Sequence, residues 1–214
     1  MAKTALIAGS TGLIGSQLLE LLLNDNYYSD VIAISRKPIS SPGAKLTNLV
    51  CELSDLSNHK NDLKADDVFC CLGTTIKKAK SKEAFRAVDL EAPLLLAKIL
   101  KELGAKKFML VSSLGANKNS GVFYNQVKGE VEEAIKQVGF DSFHVLRPSL
   151  LLGPRKEERS GEDAAKFFFK VLRFLVPKKY EAIESIKVAR AMISFAHSES
   201  RGNFIHESVE LQTL

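Results

Sequence analysis

Leu6-Ile7-Ala8-Gly9-Ser10-Thr11-Gly12-Leu13-Ile14-Gly15 is the stretch whose reading decides the fold. An apolar run ends in glycines spaced three apart, and the helical pattern Ser16 to Leu23 follows at once, which reads as strand, turn and helix. Gly9 lets the chain turn sharply off the strand, Gly12 lets backbone N–H groups approach a pyrophosphate, and Gly15 lets helix and strand pack closely. An anion placed there meets the positive end of the helix, among N–H groups that lack intrahelical partners. A plain strand-to-helix turn would use glycine as well. The motif's place, directly after the first strand and opening a helix, is the context a dinucleotide site requires. Gly9, Ser10, Thr11, Gly12, Leu13, Ile14 and Gly15 are therefore expected to hold a cofactor's phosphates.

Outward from that motif, apolar runs alternate with helical patterns. Asp30 to Ser35, Leu46 to Leu53, Asp67 to Gly73, Lys107 to Ser112 and Phe143 to Leu146 read as strands. The segment Ser81 to Leu103 reads as a helix that Ser81 caps, Gly104 stops and Pro93 kinks or restarts. Val127, Val131, Ile135 and Val138 mark one face of the next helix. Such alternation calls for right-handed crossovers and a parallel sheet covered on both faces. The expected architecture is a single α/β domain, a doubly wound parallel sheet of the Rossmann type over residues 1–153. Residues 154–214 form a small helical annex on the substrate side. Within it Glu162 to Val176 and Glu184 to His197 read as helices and Asn203 to His206 as a short terminal strand.

A hydrophobic content of 45% with 26% charged residues excludes a disordered chain, and no apolar run approaches the length of a membrane span. The net charge of +5 suits anionic ligands. It does not point to nucleic acid, because the cations are scattered and no nucleic-acid motif accompanies them. Cys51, Cys70 and Cys71 fit neither a disulfide framework nor a zinc site, and His59, His144, His197 and His206 lack metal-ligand spacing, so no metal is expected. Met1 to Lys3 leads straight into the first strand and leaves no room for a signal peptide, which makes the cytoplasm the expected compartment. Monomer and dimer both remain open.

Tyr124 and Lys128 lie four apart at the start of a helix and project from one face, just after a strand ending in Ser112 and Ser113. A phenol ordinarily ionises near pH 10, and an ammonium beside it favours the phenolate and eases proton exchange. A serine hydroxyl can hold a carbonyl oxygen against that phenol. A solvated Tyr and Lys on a surface helix would share the spacing. Placement after the fifth strand of a dinucleotide fold favours catalysis. The second strand ends Ser35-Arg36-Lys37, with no acid to bind both ribose hydroxyls and two cations able to meet a 2′-phosphate, so the expected cofactor is NADP(H).

The glycine motif, the Ser-Tyr-Lys set and Arg147-Pro148-Ser149-Leu150-Leu151-Leu152-Gly153-Pro154-Arg155 together resemble the atypical short-chain dehydrogenase/reductases. Cys71-Leu72-Gly73-Thr74-Thr75 and Tyr124-Asn125-Gln126-Val127-Lys128-Gly129-Glu130 are similar to the Tat-interacting-protein-like oxidoreductases in particular. The resemblance implies Tyr124 as acid and base, Lys128 as partner of ribose and phenol, and Ser113 as carbonyl holder. Along the cofactor it implies Cys71, Leu72, Gly73, Thr74, Ser112, Arg147, Pro148, Ser149 and Leu150, with Asp55 and Leu56 on the adenine side. The chain departs from the family in two places. Ser113 precedes Tyr124 by a short connection, which leaves Ser112 as an alternative, and Asp89 stands where the family has a helix asparagine. The expected reaction is hydride transfer between NADP(H) and a small carbonyl or alcohol. The rivals are an NADP(H)-responsive regulator without turnover and a nucleotide-sugar epimerase. Ala164 to Val176 is expected to be an amphipathic helix closing the substrate pocket, with a peripheral membrane contact as a lesser reading.

Overall fold

The computed structural model describes residues 3–40, 43–154, 177 and 180–213. In it β1 (Lys3–Ala8) runs through the glycine turn into α1 (Leu13–Asn24). Ala5 to Ala8 are fully buried, because both faces of the strand are covered, and that is why the run is apolar throughout instead of alternating. The chain builds outward through β2 (Tyr28–Ser35) and β3 (Leu46–Val50), then returns across the sheet to β4 (Asp67–Cys70). β5 (Lys107–Val111) and β6 (Ser142–Arg147) follow on the far side. A small separate pair, β7 (Leu151–Leu152) and β8 (Ile183–Glu184), precedes β9 (Gly202–Glu207). The main sheet has seven parallel strands in the order β3-β2-β1-β4-β5-β6-β9. Its winding reverses between β1 and β4, and at such a switch point the strand C-termini open a crevice for ligands.

On one face α1 packs with α6 (Ser185–His197), and Leu18, Leu22, Val188 and Met192 close over Ile7 and Phe69. On the other, Leu96 and Leu100 of α4 (Ala92–Glu102) and Val127 and Val131 of α5 (Phe123–Lys136) cover Phe108 and Phe143. The third strand stops at Val50, short of the expected Leu53, where a 3-10 segment (Leu53–Asp62) begins and buries Leu56.

Ser81 to Leu103 is not one helix. After α2 (Ile76–Ala79), the Ser81 hydroxyl accepts the Ala84 N–H at 3.0 Å and starts α3 (Lys82–Arg86), and a π-helical turn (Ala87–Glu91) then leads into α4. Pro93 is the physical reason. It has no N–H to offer the carbonyl four residues back, at Asp89, and its ring crowds that carbonyl, so the turn before it widens. The Ala92 N–H accordingly reaches back five residues to the Ala87 carbonyl.

Residues 183–211, expected within a helical annex, are built into the layers of the sheet: α6 covers its face and β9 extends β6. Pairing with a distant strand is a tertiary matter that local pattern does not carry. α7 (Ser208–Leu211) closes the described chain. The expected helix 162–176, the pocket-closing segment 164–176 and Arg155 lie outside the described residues. His144 and His206 form a buried row on the last two strands: Ser142 Oγ to His144 Nε2 at 2.9 Å, His144 Nδ1 to His206 Nε2 at 2.9 Å, and His206 Nδ1 to Glu210 Oε1 at 2.8 Å. His197 pairs with Asp25 at 2.8 Å and His59 with Asp62 at 3.8 Å.

Candidate active site

The glycine turn is held by close packing. Gly9 has φ +84, and a Cβ there would lie 2.5 Å from the Cys71 carbonyl oxygen, while a Cβ on Gly15 would lie 2.1 Å from the Gly9 carbonyl. Gly12 differs, since a Cβ there would meet only the Gly9 oxygen at 3.3 Å, and its backbone faces open space beside exposed Thr11. It is the N-cap of α1, with no side-chain cap and no acid in the first turn. The Ser10 hydroxyl is buried and has no hydrogen-bond partner among the described residues. An uncapped helix end, a bare backbone face and an idle buried hydroxyl fit a phosphate group.

At the end of β2 the Ser35 hydroxyl donates to the Lys37 carbonyl at 2.7 Å and accepts from Asn48 Nδ2 at 2.9 Å, which fixes the turn that presents Arg36 and Lys37. Both cations are exposed, and neither makes an ion pair with a described residue. Asp55 is exposed on the 3-10 segment, whereas Leu56 is fully buried with Leu63 and Leu96, so its side chain serves the core.

Tyr124 and Lys128 occupy the first turns of α5. Lys128 is buried, and its Nζ lies 2.7 Å from Asp89 Oδ1, while Asp89 Oδ2 accepts the Thr74 N–H at 2.8 Å. Burial opposes the ammonium, but Asp89 with Tyr124 more than offsets this and holds Lys128 above its ordinary range. A Cβ on Gly73 would stand 3.5 Å from Asp89 Oδ1 and 3.7 Å from Lys128 Nζ. The Cys71–Thr74 segment is thus bounded by Gly9 at one end and by Lys128 at the other, which ties the glycine turn to the Tyr-Lys helix. The Tyr124 ring packs on Phe85, centroids 5.5 Å apart.

The two serines have different partners. The Ser112 hydroxyl donates to Glu132 Oε1. The Ser113 hydroxyl is buried without a partner among the described residues. Glu132 also takes Arg147, from Nε at 3.1 Å and Nη2 at 2.5 Å, and Arg147 Nη1 reaches Glu207 at 3.0 Å. Those bonds, led by Glu132, raise the Arg147 pKa and commit the guanidinium within the protein. Ser149 Oγ donates to the Glu181 carbonyl and accepts from Ser208 at 2.9 Å, Pro148 is buried, and Leu150 is exposed. Burial pushes the Cys70 thiol up to about 12 and the Cys71 thiol well above its usual value, so neither is a thiolate at neutral pH.

Glu132 escapes a reading by motif, whereas Asp89 shows in the sequence only as a departure from the family's asparagine. Glu132 lies one turn beyond Lys128 on the buried face of α5 among Val127, Val131 and Ile135, and an acid on such a face is the signal that marks it.

Sheet and cradle define a Rossmann-type dinucleotide-binding protein. The chain belongs to the NAD dependent epimerase/dehydratase family, whose sequence profile matches residues 5–197. It is 37% identical over 204 residues to Protein HTATIP2 of Rattus norvegicus, covering 94% of this chain and 84% of that protein. It is 37% identical over 177 residues to "Protein fmp52, mitochondrial" of Emericella nidulans, covering 78% of this chain and 75% of that one. Among solved structures, MoeE5 in complex with UDP-glucose and NAD superposes with a TM-score of 0.74 at 19% identity, covering 94% of this chain and 74% of MoeE5. The family supports an enzyme of the oxidoreductase kind using a nicotinamide dinucleotide.

The expectation of a cytoplasmic protein is corrected by the fungal relatives, which are named mitochondrial. Among the described residues no helix is long and apolar enough to cross a membrane.

Proposed function

We infer that the protein is an NADP(H)-dependent oxidoreductase acting on a small carbonyl or alcohol through Ser113, Tyr124 and Lys128. The observation that carries this reading is the shared Cys71–Thr74 segment, packed against the phosphate turn at Gly9 and beside Lys128 at Gly73. The bound nicotinamide supplies or accepts the hydride. In the reducing direction the Ser113 hydroxyl donates to the carbonyl oxygen, the Tyr124 phenol protonates that oxygen, and the Lys128 ammonium stands beside the ribose and the phenol. Ser113 fits this task better than Ser112, whose proton is already given to Glu132. Arg36 and Lys37 are free to meet a 2′-phosphate, which supports NADP(H) over NAD(H).

The test is NADPH oxidation by the purified protein against aldehydes, ketones and quinones, with wild type beside Tyr124→Phe. The variant should keep its affinity for NADPH and lose at least about a hundred-fold in turnover, the scale of a lost general acid. Full activity in the variant refutes the role of Tyr124. NADPH binding with no substrate consumed favours a cofactor-responsive regulator.

A further inference from the structure

The family resemblance places a neutral asparagine where this chain has Asp89, and the difference changes the charge of the site. Asp89 has no exposed side-chain surface, and Lys128 beside it is 6% exposed, so water screens their contact at 2.7 Å very little. Its second oxygen is fixed by the Thr74 N–H. Its backbone lies on the π-helical turn that Pro93 enforces, so the carboxylate is held by covalent geometry as well as by charge. The groups facing the Lys128 ammonium are Asp89 from that turn, Tyr124 from its own helix and the Cys70 thiol from β4. Burial keeps Cys70 protonated, so Asp89 is the charge that answers Lys128.

We propose that Asp89 is a positioning residue that fixes the Lys128 ammonium and offsets its charge, so that Tyr124 works beside a neutral Lys-Asp pair in place of a lone cation. This rests on the hydride-transfer reading for its purpose, while its physical content stands without turnover. A lone ammonium favours the phenolate, and an added carboxylate opposes it by a comparable amount. The pair therefore removes most of the bias toward the phenolate that a lone Lys128 ammonium would impose.

The test is the ultraviolet absorbance step of phenol ionisation in the full-length, cofactor-free protein. The Tyr124 component is obtained by subtracting the matching Tyr124→Phe protein. In Asp89→Asn, which keeps an acceptor for the Thr74 N–H and removes the charge, this step should fall at least about one pH unit below that of wild type. A merely structural Asp89 would change the melting temperature and leave the step in place, and an unmoved step overturns the proposal. Should D89N not fold, the doubly neutral D89N/K128M carries the test, since it buries no charge. Its step should lie within about half a unit of wild type, and a rise of about one unit or more would show Lys128 acting uncompensated and overturn the proposal. Failure of every carbonyl substrate would remove the hydride-transfer reading and leave this measurement intact.

Discussion

Pro93 sets the position of Asp89. The proline cannot complete the hydrogen bond to the Asp89 carbonyl, the helix opens into a π-helical turn, and the carboxylate on that turn meets Lys128 at 2.7 Å. A backbone constraint in one helix thereby places a charge against a side chain of another.

The exposed Arg36 leads to the first prediction. Under the proposed NADP(H) reading, Arg36→Ala would remove a charge-assisted contact to the 2′-phosphate worth about 1.5–3 kcal/mol, so NADPH affinity should fall about ten-fold or more. Binding of NADH should change little, because it has no 2′-phosphate. Calorimetric titration of both cofactors into both proteins checks this, and equal wild-type affinity for the two refutes the preference.

A second prediction concerns Glu132, which joins the end of β5 to the end of β6 through Ser112 and Arg147. Glu132→Ala strands most of the Arg147 charge in a largely buried place, leaving it only Glu207. The expected loss is about 3 kcal/mol, or roughly 6–12 °C in Tm. Thermal unfolding measures it, and a loss below about 1 kcal/mol would show that the network adds little.

The histidine row predicts an acid-sensitive edge. Burial, with His206 and Lys107 nearby, lowers the His144 pKa to about 4 from the usual 6.5. The folded state then binds fewer protons than the unfolded chain between those values. The stability due to neutral His144 is present above pH 6.5 and is lost as the pH falls toward 4, by up to about 3 kcal/mol. Urea unfolding across that range should show a steeper fall for wild type than for His144→Phe, whereas parallel curves would count against it.

Gly15 offers a steric test. A Cβ at this position would lie 2.1 Å from the Gly9 carbonyl, closer than any real contact, and its neighbour is backbone. Gly15→Ala must push α1 away from the turn, at about 1–3 kcal/mol, and should weaken dinucleotide binding at least about ten-fold. Unchanged NADPH titration by the variant would remove Gly15 from the cradle.

What the sequence discloses follows the range of the forces involved. The turn at Gly9 to Gly15 is legible because its demands on backbone space are met within ten residues, and the kink near Pro93 is legible because proline acts on its own turn. The charge at position 89 is visible as a departure from a family pattern. Its bond to Lys128 is not, since only the packing of the π-helical turn against α5 creates it. Ser112 and Ser113 look interchangeable in the chain, and a buried Glu132 on another element separates them. Asn203 to His206 reads as a strand, but its place beside β6 depends on a pairing that periodicity does not encode.

β9 completes the sheet, and the chain order makes its arrival late. β6 ends at Arg147 and β9 at Glu207, so at 5–20 residues per second the ribosome spends roughly 3–12 s extending the chain between them. Over that interval the outer edge of β6, with Phe143, Val145 and His144 along it, has no native partner, and an open apolar strand edge invites another chain. The nascent protein thus passes through a stage in which β6 is the open edge of the sheet, a place that β9 takes in the finished one. A chain shortened before Gly202 would stay in it.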